Sequence, residues 1–282
     1  VSTAVLATVI CAVVPTILAA QNWDDHDRSG RFVAPDWGKN YLNTVLPNSI
    51  IVNFGDNDTF PLWYAQEVEG IRTDVRVCNT SYLQTDWYIN QMKKQSYASE
   101  PLPISWQPED YVQGTRDAAY IFPLTEKSID LKTALDFVRS NDPKFKKIPG
   151  ISQALDYIPA QTITYAVDSA VVVAEGALDP AYLPYMQPEM TIDLKGKDVL
   201  GKQELIILDM LQTNNWKRPI YYAITVSPDQ FVKLDPYFQQ TGMAYQIVPM
   251  ATQGTVRAIN TERMYDNVMH KFKWGGVNTP GV

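Results

Sequence analysis

The sequence predicts an α/β fold: a mixed, mainly parallel sheet with flanking helices, preceded by one N-terminal transmembrane helix. Three observations carry the prediction. Val1 to Ala20 has no charged residue and is rich in Val, Ala, Leu and Ile, and a helix needs about 20 such residues to cross a bilayer core. Short β-branched runs (SIIVNF at 49–54, DVRVCN at 74–79, PIYYAITV at 219–226) have the pattern of buried strands. Helix-like segments alternate with them, the rhythm of a sheet crossed by helices.

Composition supports this class and excludes others. The chain has 282 residues, 45% hydrophobic and 20% charged, enough for a sizeable core. Its formal charge is -7, and no block of Lys and Arg occurs. A nucleic-acid groove needs a basic stripe, so no nucleic-acid partner is expected. The two cysteines, Cys11 and Cys78, fall one in the apolar run and one in a strand, which argues against a disulfide. Trp23 follows the apolar run where an interfacial aromatic belongs. A cleaved signal peptide ending near Ala20 and a buried soluble helix are the alternatives for this segment.

Three regions are expected: the transmembrane helix at 1–21, closing a longer membrane domain; a first α/β unit at 22–115; and a second at 116–282, packed on the first. In the first unit, Pro35–Val45 reads as a helix with Trp37, Tyr41 and Val45 four apart. Strand 49–54 leads into the polar turn 55–59. A helix follows at Phe60–Glu69, with Asp58 or Thr59 as its cap and Gly70 as its stop. Strand 74–79 completes a β-helix-β unit suited to parallel pairing. Thr85–Tyr97 reads as a helix, and the Pro-rich Glu100–Gly114 as an irregular connector or module boundary.

In the second unit, Ala118–Phe122 is an expected strand and Asp130–Ser140 a helix capped by Asp130. A basic loop spans Asn141–Gly150, and Gln161–Glu175 reads as β-rich. Met190–Leu194 is a strand, Lys202–Gln212 a helix, and 219–226 a strand. Asp229–Gln239 is read as a helix, Ala244–Val248 as a strand, and Thr261–Lys273 as a last helix stopped by Gly275-Gly276.

The sharpest motif is GDNDTFP, Gly55 to Pro61, at the carboxyl end of a buried strand. Open α/β sheets bind ligands at that edge. Asp56, Asn57, Asp58 and Thr59 are therefore candidate substrate-binding residues, able to hold sugar hydroxyls or a divalent cation. The same residue types also build ordinary turns and helix caps. A second motif, Asp24-Asp25-His26-Asp27-Arg28, offers acidic and imidazole ligands for a metal, and Arg28 a fork for phosphate. Its plain counterpart is a solvated juxtamembrane loop. In the third, NNWKRP at 214–219, Trp216 and Arg218 are candidates to stack on a sugar, or else to pack in the core. Only His26 and His270 exist, and neither adjoins a nucleophile elbow, so a Ser-His-Asp or Cys-His hydrolase is hard to assemble.

Four stretches taken together carry a resemblance: NWDDHDRSGR, then SIIVNFGDNDTFPLWYAQEVEGIRTDVRVCNTSYL, then NNWKRPIYYA, then MYDNVMHKFKWGG. The chain resembles the C-terminal part of the large multi-spanning membrane proteins, widespread in Bacteroidetes, of the protein O-mannosyltransferase-like (GT-C type) group. The resemblance implies a glycosyltransferase using a polyprenyl-phosphate sugar donor, with a divalent metal as a further cofactor of the full-length protein. It also implies catalytic acids in loops between membrane helices that this chain does not include. No catalytic residue is carried over. The chain is expected to start inside a span and to stop short at Thr279-Pro280-Gly281-Val282. The soluble part is expected in the periplasm, anchored to the inner membrane, with a role in acceptor recognition or scaffolding. The expected partners are the membrane and a protein or glycan acceptor. A non-enzymatic envelope interaction module and a secreted hydrolase are the competing functions.

Overall fold

The computed structural model describes residues 2–27 and 29–275. The expected α/β class is observed. Helix α1 (Ser2–His26) is exposed along its whole length, with a mean hydropathy of 2.3 in its most apolar window. At about 1.5 Å per residue it is long enough for a ~30 Å hydrocarbon core. No residue of α1 is buried in the folded part of the chain, so the buried-helix alternative does not hold.

The central sheet has five strands: β1 (Ile50–Asn53), β2 (Arg76–Asn79), β9 (Ile220–Ala223), β10 (Phe238–Gln240) and β11 (Ala244–Ile247), in the order β10-β11-β9-β1-β2. β1 pairs in parallel with both β2 and β9, and β11 pairs antiparallel with β9 and β10. Every residue of β1, β2 and β9 is buried, as expected of strands covered on both faces. Helices α2 (Val33–Thr44), α3 (Asp56–Trp63) and α4 (Asp86–Met92) belong to this half, with the single turn α5 (Pro108–Tyr111).

Between β2 and β9 the chain makes two three-stranded sheets. In one, β3 (Ala118–Thr125) lies between β5 (Tyr157–Ala160) and β8 (Val199–Gly201). In the other, β6 (Thr162–Ala166) lies between β4 (Ile129–Asp130) and β7 (Glu189–Asp193). Helices α6 (Leu131–Arg139), α7 (Ser169–Ala174) and α8 (Lys202–Asn214) complete this region, and α9 (Thr261–Asp266) closes the chain. The expected unit boundary at 115/116 does not coincide with a sheet boundary. β1 and β9 come from opposite sides of it yet are hydrogen-bonded neighbours, and one hydrophobic core runs from Tyr41 to Met250.

Four segments differ from expectation, each for a local reason. Asp229–Gln239 is two short 3-10 turns and then β10; Val232 and Lys233 take positive φ, which no helix interior permits. Val171–Ala174 is helical, because the Asp168 side chain accepts from the Val171 amide and starts α7. The helix expected over Thr85–Tyr97 ends at Met92, and Tyr97 has a φ of 51°. The Pro-rich 100–114 segment is largely irregular, as its connector reading expects, but it packs inward. Trp106 and Tyr111 are fully buried, and Ser105 donates to the Asp209 carboxylate of α8 from its amide (2.7 Å) and hydroxyl (2.5 Å). Burial pushes the Asp209 carboxyl above the usual range, and those bonds partly offset the rise.

Candidate functional site

β1 leads through α3 to β2 on one side, while β9 leads to β11 and β10 on the other. The carboxyl ends of β1 and β9 thus form a topological switch point, where open α/β sheets leave a crevice for ligands. The motif at 55–61 sits there. Gly55, with φ of 80°, takes a backbone shape that a side chain would strain, and α3 starts at once on Asp56. The cap is Gly55, with no side-chain bond, and not Asp58 or Thr59.

That early start separates the two carboxylates. Asp56 and Asn57 are exposed, while Asp58 is 3% exposed. Residues two apart on a helix point to nearly opposite sides. Asp58 accepts from Trp37 Nε1 at 3.4 Å and from the Thr225 hydroxyl, and Thr225 Oγ1 lies 3.0 Å from the Tyr41 hydroxyl. Burial pushes the Tyr41 phenol well above its ordinary range. The Asp58 carboxylate therefore ties α2, α3 and the segment after β9 together and fills the switch point. Thr59 is fully buried and accepts from Asn53 (3.1 Å) and Asn79 (2.8 Å), the paired last residues of β1 and β2. Its hydroxyl donates to Gly55 O at 2.7 Å. Of the four expected binding residues in this motif, Asp56 and Asn57 are exposed, and Asp58 and Thr59 are buried and hold the elements around the switch point together.

Sequence reading missed what stands beside Asp56. Phe60, Trp63, Tyr82 and Trp87 form an aromatic row, with successive ring centroids 5.9, 6.2 and 6.1 Å apart. Tyr82 OH donates to Asp56 Oδ1 at 3.5 Å, and Phe60 and Trp87 are more than half exposed. Such rings offer flat apolar faces with polar tips at low conformational cost. The signal was in the sequence as aromatics on the segments either side of strand 74–79, which the sequence reading did not single out.

The other predicted site residues fall elsewhere. Trp216 is 4% exposed and stacks on Tyr165 at 5.8 Å; Arg218 is 5% exposed and donates to the Asn48, Glu100 and Pro101 carbonyls. Burial lowers the Arg218 guanidinium to about 10. Neither residue presents a face to a sugar; both are core. Asp24, Asp25 and His26 lie on α1, where successive residues step round the helix by about 100° and radiate outward. His26 Nδ1 lies 2.9 Å from Asn22 O, and bonding from the Ser29 side chain and amide holds the Asp27 carboxyl below the usual range. Among the described residues no three His, Cys, Asp or Glu side chains converge on a metal position. Arg28 lies outside the described residues, as do 276–282. His270 packs edge-on against Tyr265, and both cysteines are free.

Fold and site together define an α/β domain joined to an apolar helix fit for membrane anchoring, with an exposed Asp-Asn pair and an aromatic row at the carboxyl end of β1. The chain belongs to the TMEM260-associated domain 2 family, whose model matches residues 34–267. No curated protein and no solved structure matches the chain.

Proposed function

We propose that this chain is the extracytoplasmic acceptor-recognition domain of a membrane glycosyltransferase of the protein O-mannosyltransferase-like type. The observation that carries the reading is the exposed pair Asp56 and Asn57 at the carboxyl end of β1, beside the Phe60–Trp87 aromatic row. A carboxylate and an amide hold hydroxyl donors, and the rings cover the apolar part of the same acceptor. The family membership supports a glycosyltransferase context. In this reading the domain lies on the outer side of the inner membrane, the donor is a polyprenyl-phosphate sugar, and chemistry takes place in membrane loops. A divalent metal, if the full-length enzyme uses one, is held there: the 24–27 cluster does not fit one, and no step passes through a metal in this domain.

The test is glycan transfer by the full-length protein carrying Asp56→Ala or Asn57→Ala, assayed below acceptor saturation. About tenfold loss, ~1.4 kcal/mol of acceptor binding, is expected for Asp56→Ala with unchanged thermal stability. Normal transfer in both variants contradicts the proposal. If transfer is normal while an envelope protein still binds through the aromatic row, the domain is a non-enzymatic interaction module.

A further inference from the structure

A cavity of about 560 Å³ opens beside β2, between the end of α3 and α4. That size lies within the range of small-ligand sites. After Trp63 the helix widens into a π-turn over Tyr64–Val68, a local distortion frequent at functional sites, which carries Gln66 and Glu67 into the cavity wall. The mouth is aromatic: Trp63 is half-buried, while Trp87 and Tyr97 are 55% and 58% exposed.

The floor carries an incompletely paired cation. Arg76 is 4% exposed, and its Nη2 donates to the Gln91, Met92 and Lys94 carbonyls at the end of α4. Its Nε has no partner, and no carboxylate faces it among the described residues. A buried donor left unmade costs free energy, so it marks a place where a ligand oxygen is welcome. Tyr97 OH donates to Glu67, which orients both at the rim, and the exposed Gln91 adds an amide on the opposite wall.

An edge strand in a groove invites an added peptide strand. Here that mode is blocked. The outward-facing Val75 carbonyl accepts from Gln66 Nε2 at 2.8 Å, and the outward-facing Asn79 amide donates to the Tyr88 hydroxyl at 3.0 Å. Only the Val77 peptide is left on that edge, too little to register a chain. What the groove offers is flat rings plus planar, bidentate amide, carboxylate and guanidinium groups. Those match a ligand with C–H faces and adjacent hydroxyls.

We infer that the groove between Trp63, Trp87 and Tyr97 is a binding site for a neutral saccharide, its ring stacked on the aromatics and its hydroxyls bonded to Arg76, Glu67 and Gln91. The site shares Trp63 and Trp87 with the aromatic row of the proposed function but not Asp56, so it does not depend on the role assigned to that carboxylate.

The test is saturation-transfer NMR and tryptophan fluorescence on the whole chain, held in a micelle of a detergent that is not a glycoside. The probes are neutral gluco-, manno- and N-acetylglucosamine disaccharides, a mannose phosphate, and a short extended peptide. At least one neutral disaccharide is expected to bind, with at least tenfold weaker binding in Trp87→Ala and in Gln91→Ala. Both residues are exposed, so unchanged circular dichroism and melting temperature are expected alongside. Asp56→Ala is expected to leave this binding unchanged, because Asp56 does not line the groove. Absence of binding by every neutral probe at millimolar concentration, preferential binding of the phosphate or the peptide, or binding unaltered in both variants overturns the inference.

Discussion

Asp56 and Asp58 show how far two like residues diverge when a helix starts one turn early. In the sequence they form a symmetric acidic pair around Asn57. In the fold one faces solvent beside Tyr82, and the other is sealed under Trp37 and Thr225. The pair was legible as a motif but its split was not, because the split depends on α3 beginning at Asp56, which Gly55 makes possible through its positive φ. Thr225 was legible only in hindsight of the pairing of β1 with β9, since nothing local in the sequence marks it. The same logic explains the 24–27 run: four potential ligands in a row cannot point one way where the backbone is helical. Replacing Asp58 by Ala leaves the Trp37 and Thr225 donors without their acceptor. We expect it to cost about 1–3 kcal/mol, read as a lower midpoint in urea or a lower melting temperature. Asp56→Ala, which leaves no buried group unpaired, is expected to change stability by less than about 0.5 kcal/mol. Equal stability of the two variants would contradict the division of labour.

At the scale of elements, the strongly patterned segments were readable and the context-dependent ones were not. α6 follows its apolar spacing, with Leu131, Leu135 and Val138 buried and Asp130 accepting from the Lys132 and Thr133 amides. β1, β2 and β9 follow from β-branched and aromatic runs. β10 was hidden because its three residues follow Pro236 and two positive-φ residues, and its strand character comes from pairing with β11. The α2–α3 contact was equally invisible. A Cβ on Gly38 would lie 2.2 Å from the Pro61 carbonyl oxygen, so the two helices touch backbone to backbone. Gly38 therefore sets how closely α2 approaches the switch-point helix. Gly38→Ala is expected to destabilise by about 1–3 kcal/mol through overpacking, even though Ala is the better helix former in isolation. A melting temperature equal to or above that of the parent chain would show that the contact relaxes freely.

For the whole molecule, an apolar helix fit for membrane anchoring adjoins a folded domain. α1 has no buried residue, whereas the folded part holds a continuous core from Tyr41 to Met250. The chain is therefore expected to float with lipid vesicles in a density gradient, and a variant lacking residues 2–20 to remain at the bottom, folded. Sedimentation of the intact chain away from vesicles would contradict the anchor. The order of the central sheet gave the motif its place, because the switch point exists only where β1 and β9 part company. The claim on which the rest turns is that Asp56 and the rings beside it read an acceptor. The most direct measurement is the acceptor dependence of glycan transfer by full-length enzyme bearing Asp56→Ala. The account predicts a KM raised about tenfold at unchanged kcat, the signature of lost binding away from the reacting atoms. A kcat that falls with KM unaltered, or no change in either, would contradict it.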